Sequence, residues 1–352
     1  DDPVFVAAGT VQQATRGITT ALLWLSILGL PLAWSKSDGG KSITWIGAKM
    51  LASPGSFTVT IPEDKVQDLI SAITEVLDHS VASRRTLRSI TGKLSFVAGL
   101  VPQMRPFLSP LWAVSAGNAA REGTSPGALA SGGSSRTDGL PHHLFHVNRV
   151  KGALLWALAL LRKEAGALSR VHPLVPTPPN LILGLTTDAS PWGLGAVLTR
   201  MGTPIAWISD KIHPEDLDRF SATLGDSAFT TTWEALAILV AFRAWTPVFP
   251  SGTRFALRSD SLGALASIAK SASPSKGLSL ILQEIALDEA GQVWGFDSLT
   301  HIPGVSNTVA DPLSRLYAPD AKTIPESLTT VPRTMVPHRI GMWWATTARQ
   351  PR

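Results

Sequence analysis

The sequence contains no cysteine in 352 residues. This absence excludes disulfide bonds and thiolate metal sites, and it leaves carboxylates, histidines and backbone oxygens as candidate ligands. Hard cations such as Mg²⁺ are the ions that carboxylate oxygens prefer. Tyrosine is nearly absent as well, with one residue against twelve tryptophans. Tryptophan can stack on nucleic-acid bases, but most of these side chains are expected in hydrophobic cores.

Long hydrophobic runs are also missing. The longest apolar run, residues 21–34, contains Gly29 and Pro31 and is too short to span a bilayer. No secretory signal is visible, so we expect an intracellular protein without a membrane partner. The chain begins Asp1-Asp2-Pro3 without a methionine, as if it were cut from a longer protein.

Charge and length set further bounds. A net charge of +5 favours an anionic partner such as nucleic acid, although charge alone does not decide this. The length allows two or more domains with ordinary hydrophobic cores. A disordered chain is excluded by the moderate glycine and proline content.

Two amphipathic helices are predicted in the first half, over residues 66–77 and 84–100, and Pro102 ends the second. Basic side chains lie on the polar side of the second helix, and they are Arg84, Arg85, Arg88 and Lys93. These residues can grip phosphates or simply form a solvated face, and the sequence leaves both interpretations open.

The middle of the chain changes composition. Residues 116–143 are rich in Gly, Ser, Ala and Thr, which predicts a flexible linker. Residues 144–180 are predicted as a connecting helix with a proline-rich lead-in. The last segment, residues 317–352, has several prolines and the Trp343-Trp344 pair, and it is predicted as an extended tail.

Residues 181–316 show the strongest pattern. Three short β-prone runs are followed by a helix, a strand, two helices, a strand and a last helix. The predicted fold class is α/β, with a mixed five-stranded sheet in the order βββαβααβα.

Four acidic residues recur in this region, each in its own frame. Asp188 lies in TTDASPWGLGAVL, Glu234 in TTWEALAIL, Asp260 in LRSDSLGAL and Asp311 in HIPGVSNTVADPLSRL. Any one of them alone is more often a helix cap or a surface group. Asp188 and Asp260 end the first and fourth strands, which can present both at one sheet edge. Together the four acids predict a site for two divalent ions about 4 Å apart.

His301 ends the strand before the last helix. A histidine beside such a site can shuttle a proton or assist product exit.

From about residue 181 to residue 316 the chain resembles the ribonuclease H domain of retroelement polyproteins. The segments TDASPWGLGAVL and HIPGVSNTVADPLSR carry the resemblance, and the ADPLSR ending is similar to long-terminal-repeat and tyrosine-recombinase retrotransposons. The resemblance implies a ribonuclease H-like fold and two Mg²⁺ ions, for which Mn²⁺ can substitute. Asp188 would bridge both ions, Glu234 and Asp260 would hold one, and Asp311 would hold the other.

The same resemblance gives two further residues a role. His301 matches the histidine of the family, and Asn307 falls where the family has an Asn before the final acid. We therefore count Asn307 among the predicted nucleic-acid-binding residues.

The first half resembles the C-terminal part of a reverse transcriptase. ILGLPLAWSKSDGGKSITWIGAKM is similar to the end of the palm, and RRTLRSITGKLSFVAGLVPQMRPFLSPLW to the thumb. The resemblance implies a palm remnant over residues 1–56 and a thumb-like helical region over residues 57–115. Asp1 and Asp2 would end the Tyr-x-Asp-Asp turn of the polymerase and are candidate metal ligands. Polymerisation needs a third carboxylate and a fingers subdomain upstream, so an upstream polymerase half is the candidate protein partner.

The expected activity is endonucleolytic cleavage of the RNA strand of an RNA/DNA hybrid, in a cytoplasmic or nuclear retroelement particle and without a small-molecule cofactor. One alternative is a non-catalytic nucleic-acid clamp from a decayed retroelement, which the presence of all four acids disfavours. Another is a DNA-cutting nuclease or integrase of the same fold, which the frame of Asn307 and Asp311 disfavours.

Overall fold

A computed structural model of the chain describes residues 4–7, 9–116, 140–174, 178, 182–249, 253–291 and 294–348. Asp1, Asp2 and residues 117–139 of the predicted linker lie outside these ranges. None of the helices in the described ranges has both the length and the apolar composition that a membrane crossing requires.

The described residues form eleven strands and eleven α-helices. The strands are β1 (Ser42–Trp45), β2 (Ala48–Ser53), β3 (Ser56–Thr60), β4 (Val81–Ser83), β5 (Leu144–His146), β6 (Ser169–Pro173), β7 (Ile182–Ala189), β8 (Gly193–Arg200), β9 (Thr203–Lys211), β10 (Thr253–Ser259) and β11 (Trp294–His301). The helices are α1 (Val11–Ile27), α2 (Glu63–Leu77), α3 (Arg84–Leu100), α4 (Leu108–Ala116), α5 (Lys151–Leu161), α6 (Pro214–Phe220), α7 (Thr230–Trp245), α8 (Leu262–Lys270), α9 (Lys276–Ala290), α10 (Ala310–Ser314) and α11 (Ala345–Ala348).

The chain divides into two compact units. The first comprises Asp1–Asp68 and Leu168–Pro176, and the second comprises Leu69–Ala167 and Thr177–Arg352. In the first unit β1, β2, β3 and β6 form an antiparallel sheet in that order. The strand β6 was not predicted from the sequence, since its residues Ser169–Pro173 show no hydrophobic alternation.

The second unit contains a five-stranded mixed sheet in the order β11-β10-β7-β8-β9. β7, β8 and β9 form an antiparallel meander. β10 pairs in parallel with β7, and β11 pairs in parallel with β10. This arrangement confirms the predicted α/β class with a mixed five-stranded sheet. The sequence prediction missed the short helix α6, although Pro214 at its start and two acids in its first turn are helix-start signals.

Helix α7 is the centre of the core. Twelve of its sixteen residues are buried, as expected for a helix that is apolar on all sides. It packs on β7 and β8 and contacts α8 and α9. Because the helix is enclosed, a carboxylate on it can reach only the interior or the edge of the sheet.

Helices α3 and α4, which lie in the region predicted to be thumb-like, belong to the same unit as the five-stranded sheet. Ser83 accepts a hydrogen bond from the N–H of Thr86 and caps α3. The 3₁₀ segment Pro102–Phe107 packs on α9, and the side-chain amide of Gln283 donates to the carbonyl of Pro106 at 3.2 Å. The connecting helix α5 is shorter than predicted, because residues 144–146 pair with β4 as a strand.

The C-terminal segment corrects a prediction. It has few regular elements, but it packs on the rest of the second unit and is not an extended tail. The N–H of Trp207 donates to Pro332 O at 3.2 Å and the N–H of Thr334 donates to Trp207 O at 2.8 Å, so the segment lies along the edge strand β9. Trp344 is 1% exposed and belongs to the hydrophobic core.

A buried ion-pair network fastens the same segment. The Arg339 guanidinium contacts Asp216 at 2.6 Å and Asp210 at 2.5 Å, and the side chains of Arg339 and Asp216 are each 1% exposed. Further along, the buried carboxylate of Glu284 accepts the N–H groups of Ala345 and Thr346 at 2.9 and 2.8 Å. Such contacts join residues more than sixty positions apart, and this is why sequence periodicity did not reveal them.

Candidate active site

Two aspartates meet at one edge of the five-stranded sheet. β7 and β10 are parallel neighbours, and their register pairs Thr186 with Arg258. Asp188 and Asp260 each follow two residues later, so both strands bring their acid to the same edge. Asp188 is buried and Asp260 is half-buried.

Glu234 reaches the same place from α7. Its side chain is buried, and its Oε1 accepts the N–H of Ala189 at 3.1 Å. Asp188, Glu234 and Asp260 each offer one carboxylate oxygen, and these oxygens all lie within 4.8 Å of one another. The structure thus brings together three of the four predicted acids.

The fourth acid, Asp311, lies in α10 and is not a member of this close group. Its Oδ1 accepts a hydrogen bond from Arg315 Nε at 2.7 Å, and both side chains are about one third exposed. The charge of Asp311 nevertheless raises the pKa of Asp188, after the larger effect of burial. Asp311 therefore lies near the cluster, but its carboxylate is paired with Arg315.

His301 flanks the cluster at the end of β11. It pairs with Ser259, the residue before Asp260, and it is exposed. The loop that follows passes close to the cluster, since a Cβ added at Gly304 would lie 3.1 Å from Asp260 Oδ2. This placement agrees with a proton-transfer role, which stays a prediction.

Asn307 lies inside the site rather than on a binding surface. It is 1% exposed, and its Nδ2 donates to Asp188 Oδ1 and to Thr187 O, both at 3.1 Å. A side chain buried in this way orients Asp188, and it is not available to contact nucleic acid as the sequence analysis expected.

The predicted basic residues of α3 fall into two groups. Arg84 donates to Val114 O and to His142 O, and Arg88 donates to Ser115 O at 3.0 Å. These carbonyls include the last turn of α4, where a cation is favourable. Arg85 and Lys93 are exposed on the same helix, and they remain the better candidates for phosphate contacts.

Three residues of the site were missed by sequence reasoning. The Ser259 hydroxyl lowers the pKa of Glu234, against larger effects in the opposite direction. Ser314 contacts Asp188 Oδ2 at 2.5 Å, and Arg315 pairs with Asp311. All three stand in the motifs LRSD and ADPLSR, and the four-residue spacing of Asp311 and Arg315 is the helical ion-pair signal that could have found one of them.

The electrostatics of the cluster favour protons or cations. Burial raises the pKa of Asp188 to about 7, and the charges of Asp260 and Asp311 add to this. Burial also raises the pKa of Glu234 well above its ordinary value, with further contributions from Asp188 and Asp260. Like charges in a poorly solvated place resist ionisation together, and a divalent cation relieves this repulsion.

The donor set fits a hard divalent cation. Glu234 Oε2 is buried and has no hydrogen-bond partner within the described part of the chain, and the same holds for Asn307 Oδ1. A buried carboxylate oxygen without a partner requires an explanation such as an ion. Carboxylate oxygens from three separate elements are the ligands that Mg²⁺ or Mn²⁺ binds.

Raising the pH from about 5 to about 8 is expected to destabilise the protein in a chelator and to increase its stabilisation by Mg²⁺. The folded-state pKa of Asp188 is raised, so its contribution to stability is present at low pH and is lost as the pH rises through about 7. Metal binding requires the deprotonated carboxylates and therefore strengthens over the same range. Thermal unfolding with chelator and with Mg²⁺ across this range measures both effects.

The variant Asp188→Asn is the control for this pH series. It should flatten the slope in chelator and remove most of the Mg²⁺ effect. A parental protein whose melting temperature responds to Mg²⁺ equally at both ends of the range would contradict the assignment.

Comparison with known proteins finds similarity among solved structures only. No protein-family model and no curated protein matches the sequence. RNase H1 from the halophilic archaeon Halobacterium salinarum is 19% identical with a TM-score of 0.31, and the match covers 40% of this chain and 99% of that chain.

LC11-RNase H1 in complex with an RNA/DNA hybrid is 18% identical with a TM-score of 0.28, over 38% of this chain and 91% of that one. The foamy viral protease-reverse transcriptase in complex with an RNA/DNA hybrid is 14% identical with a TM-score of 0.33, and the match covers 94% of this chain and 37% of that chain. Similarity at this level does not assign an activity, so the chemistry of this chain has to follow from its own site.

Proposed function

We propose that this chain hydrolyses the RNA strand of RNA/DNA hybrids with two divalent cations, as part of a retrotransposon reverse transcriptase. The observation that carries the proposal is the cluster of Asp188, Glu234 and Asp260, whose oxygens lie within 4.8 Å of one another. The unpartnered Oε2 of Glu234 supports it, because that oxygen is buried with no protein donor in the described ranges. The retroelement context rests on the sequence frames around Asp188 and Asp311.

Four residues are assigned to the ions. Asp188 would lie between the two, Glu234 and Asp260 would hold one, and Asp311 would hold the other after separating from Arg315. Held by these residues, two Mg²⁺ ions would supply activation of the attacking water and stabilisation of the leaving oxygen.

Other residues of the site contact these ligands or lie beside them. Asn307 donates to Asp188 Oδ1 and so limits the rotation of that carboxylate. The N–H of Ala189 holds one oxygen of Glu234 and leaves the other for a cation. His301 is exposed next to Ser259, where it can accept or release a proton at the edge of the site.

Substrate binding is assigned to two kinds of contact. Polar contacts to 2′-hydroxyl groups in the minor groove distinguish RNA from DNA. The exposed Arg85 and Lys93 would contact phosphates without sequence preference. Binding that depends on such contacts weakens steeply as salt concentration rises.

Cleavage of an end-labelled RNA/DNA hybrid in Mg²⁺ or Mn²⁺ tests the proposal. We expect the RNA strand to be cut at internal positions, with no cleavage in a chelator and none of single-stranded RNA or double-stranded DNA. The products should carry a 3′-hydroxyl and a 5′-phosphate.

The same experiment separates the alternatives. Salt-sensitive binding of the hybrid without cleavage in either metal would reject the nuclease and favour a nucleic-acid clamp. Cleavage of double-stranded DNA in preference to the hybrid would instead indicate a DNA nuclease of the same fold.

A further inference from the structure

Asp188 is held at both of its carboxylate oxygens. Asn307 Nδ2 lies 3.1 Å from Oδ1, and Ser314 Oγ lies 2.5 Å from Oδ2. Ser314 is fully buried, so water does not compete for this contact. A carboxylate with a donor on each oxygen has little freedom to turn.

The position of Ser314 is fixed by its backbone. Its carbonyl accepts the hydroxyl of Ser190 at 2.7 Å, which ties the end of α10 to the turn between β7 and β8. A Cβ added at Gly195 would lie 2.6 Å from Ala310 O and from Ser314 N. The missing side chain at Gly195 therefore lets α10 rest directly on β8, and it places Ser314 against Asp188.

The hydroxyl of Ser314 has two acceptors within reach but only one proton to give. Besides Asp188 Oδ2, it lies 2.9 Å from the backbone carbonyl of Asp311. A carboxylate is the stronger acceptor, and its contact is also the shorter one. The hydrogen bond to Asp188 is therefore the one that an ionised site favours.

We propose that Ser314 is a positioning residue that holds the Asp188 carboxylate in the orientation that receives the divalent cation. The inference rests on the proposed function, since it presumes a metal at this site. It adds that α10 supplies both a ligand, Asp311, and the group that aligns the central ligand. The docking of one short helix would then position ligands for both ions.

Ser209, a buried serine on β9, provides a matched control. Ser209 Oγ donates to Leu313 O at 2.6 Å, so Ser209→Ala also removes one buried hydroxyl that contacts α10. Ser209 has no hydrogen bond to Asp188. The two variants lose similar packing and differ in whether the central carboxylate loses a donor.

The experiment measures Mn²⁺ affinity in the absence of nucleic acid, by calorimetry or by electron paramagnetic resonance, for the parental protein, Ser314→Ala and Ser209→Ala. Loss of an outer-shell partner typically weakens metal binding about 10- to 100-fold, and this is the expected result for Ser314→Ala. Ser209→Ala should bind Mn²⁺ like the parental protein. Thermal unfolding in a chelator shows whether each variant is folded.

Parental Mn²⁺ affinity in a folded Ser314→Ala would overturn the inference while leaving the proposed function intact. Equal weakening in both serine variants would also overturn it, because the effect would then come from α10 packing. If Ser314→Ala does not fold, Ser314→Cys replaces it, since a thiol is close in size but a weak donor. Ser314→Cys should bind more weakly than the parental protein, and unchanged affinity would reject the role. A parental protein that binds no Mn²⁺ would reject the metal site and the inference together.

Discussion

Cleavage of the RNA/DNA hybrid is expected to fall at least about a thousandfold in the variant Asp188→Asn. Metal ions supply several kcal/mol of transition-state stabilisation, and each tenfold in rate corresponds to about 1.4 kcal/mol. Burial and the charges of Asp260 and Asp311 all raise the pKa of Asp188. Removing its charge should therefore weaken the sites of both ions at once.

Hybrid binding in Asp188→Asn should be largely retained, because phosphate contacts lie elsewhere. Asp297→Asn makes the same chemical change at an exposed position on β11, and it should cleave like the parental protein. Single-turnover cleavage and hybrid affinity measured on all three proteins distinguish chemistry from binding. Substantial cleavage by Asp188→Asn would show that the acidic cluster is not the catalytic site.

Replacing Arg339 with methionine is expected to lower the free energy of unfolding by about 3 to 5 kcal/mol. The Arg339 guanidinium is buried between Asp210 and Asp216, and it also donates to Lys211 O at 3.0 Å. Its removal leaves the Asp216 carboxylate, 1% exposed, without its counter-ion. An unpaired buried charge is costly even where the complete ion pair adds little stability.

Denaturant unfolding of Arg339→Met in a chelator measures this loss without a contribution from bound metal. Arg333→Met serves as the comparison, because Arg333 is an exposed residue of the same segment that donates to Ser209 O and to the Tyr317 hydroxyl. It should cost about 1 kcal/mol, the size of an ordinary hydrogen bond. Equal losses in the two variants would mean that the C-terminal segment is held mainly by its apolar contacts.

The positions of Asp188, Glu234 and Asp260 were predictable because each lies at the end of a β-prone run or within an apolar helix. Asp188 and Asp260 end β-prone runs, and parallel pairing then brings both to one edge. Glu234 lies on a helix whose apolar sequence already indicates burial. In these cases local periodicity and the position of a charge carry enough information to place a side chain.

Other parts of the site depend on contacts that no local pattern encodes. Ser314 and Asp188 are 126 positions apart, and their contact depends on Gly195 allowing α10 to approach β8. Arg84 and Arg88 look like phosphate ligands in the sequence. In the structure, both donate hydrogen bonds to backbone carbonyls in the last turn of α4, and Arg84 also donates to His142 O. Arg339 is one of several cations in an irregular segment, and only the fold reveals its two carboxylate partners.

The outer edge of β9 is covered by the C-terminal segment, through backbone contacts of residues 332–334 with Trp207 and through side-chain donors from Arg333 and Arg339. The ribosome makes the chain from the N-terminus, so β7, β8 and β9 are complete long before Trp344 can enter the core. During that interval the growing polypeptide presents an uncovered strand with unpaired backbone groups, which other nascent chains can join. Newly synthesised molecules should therefore be more prone to aggregate than finished ones, and they should depend on chaperones until the last segment has folded back.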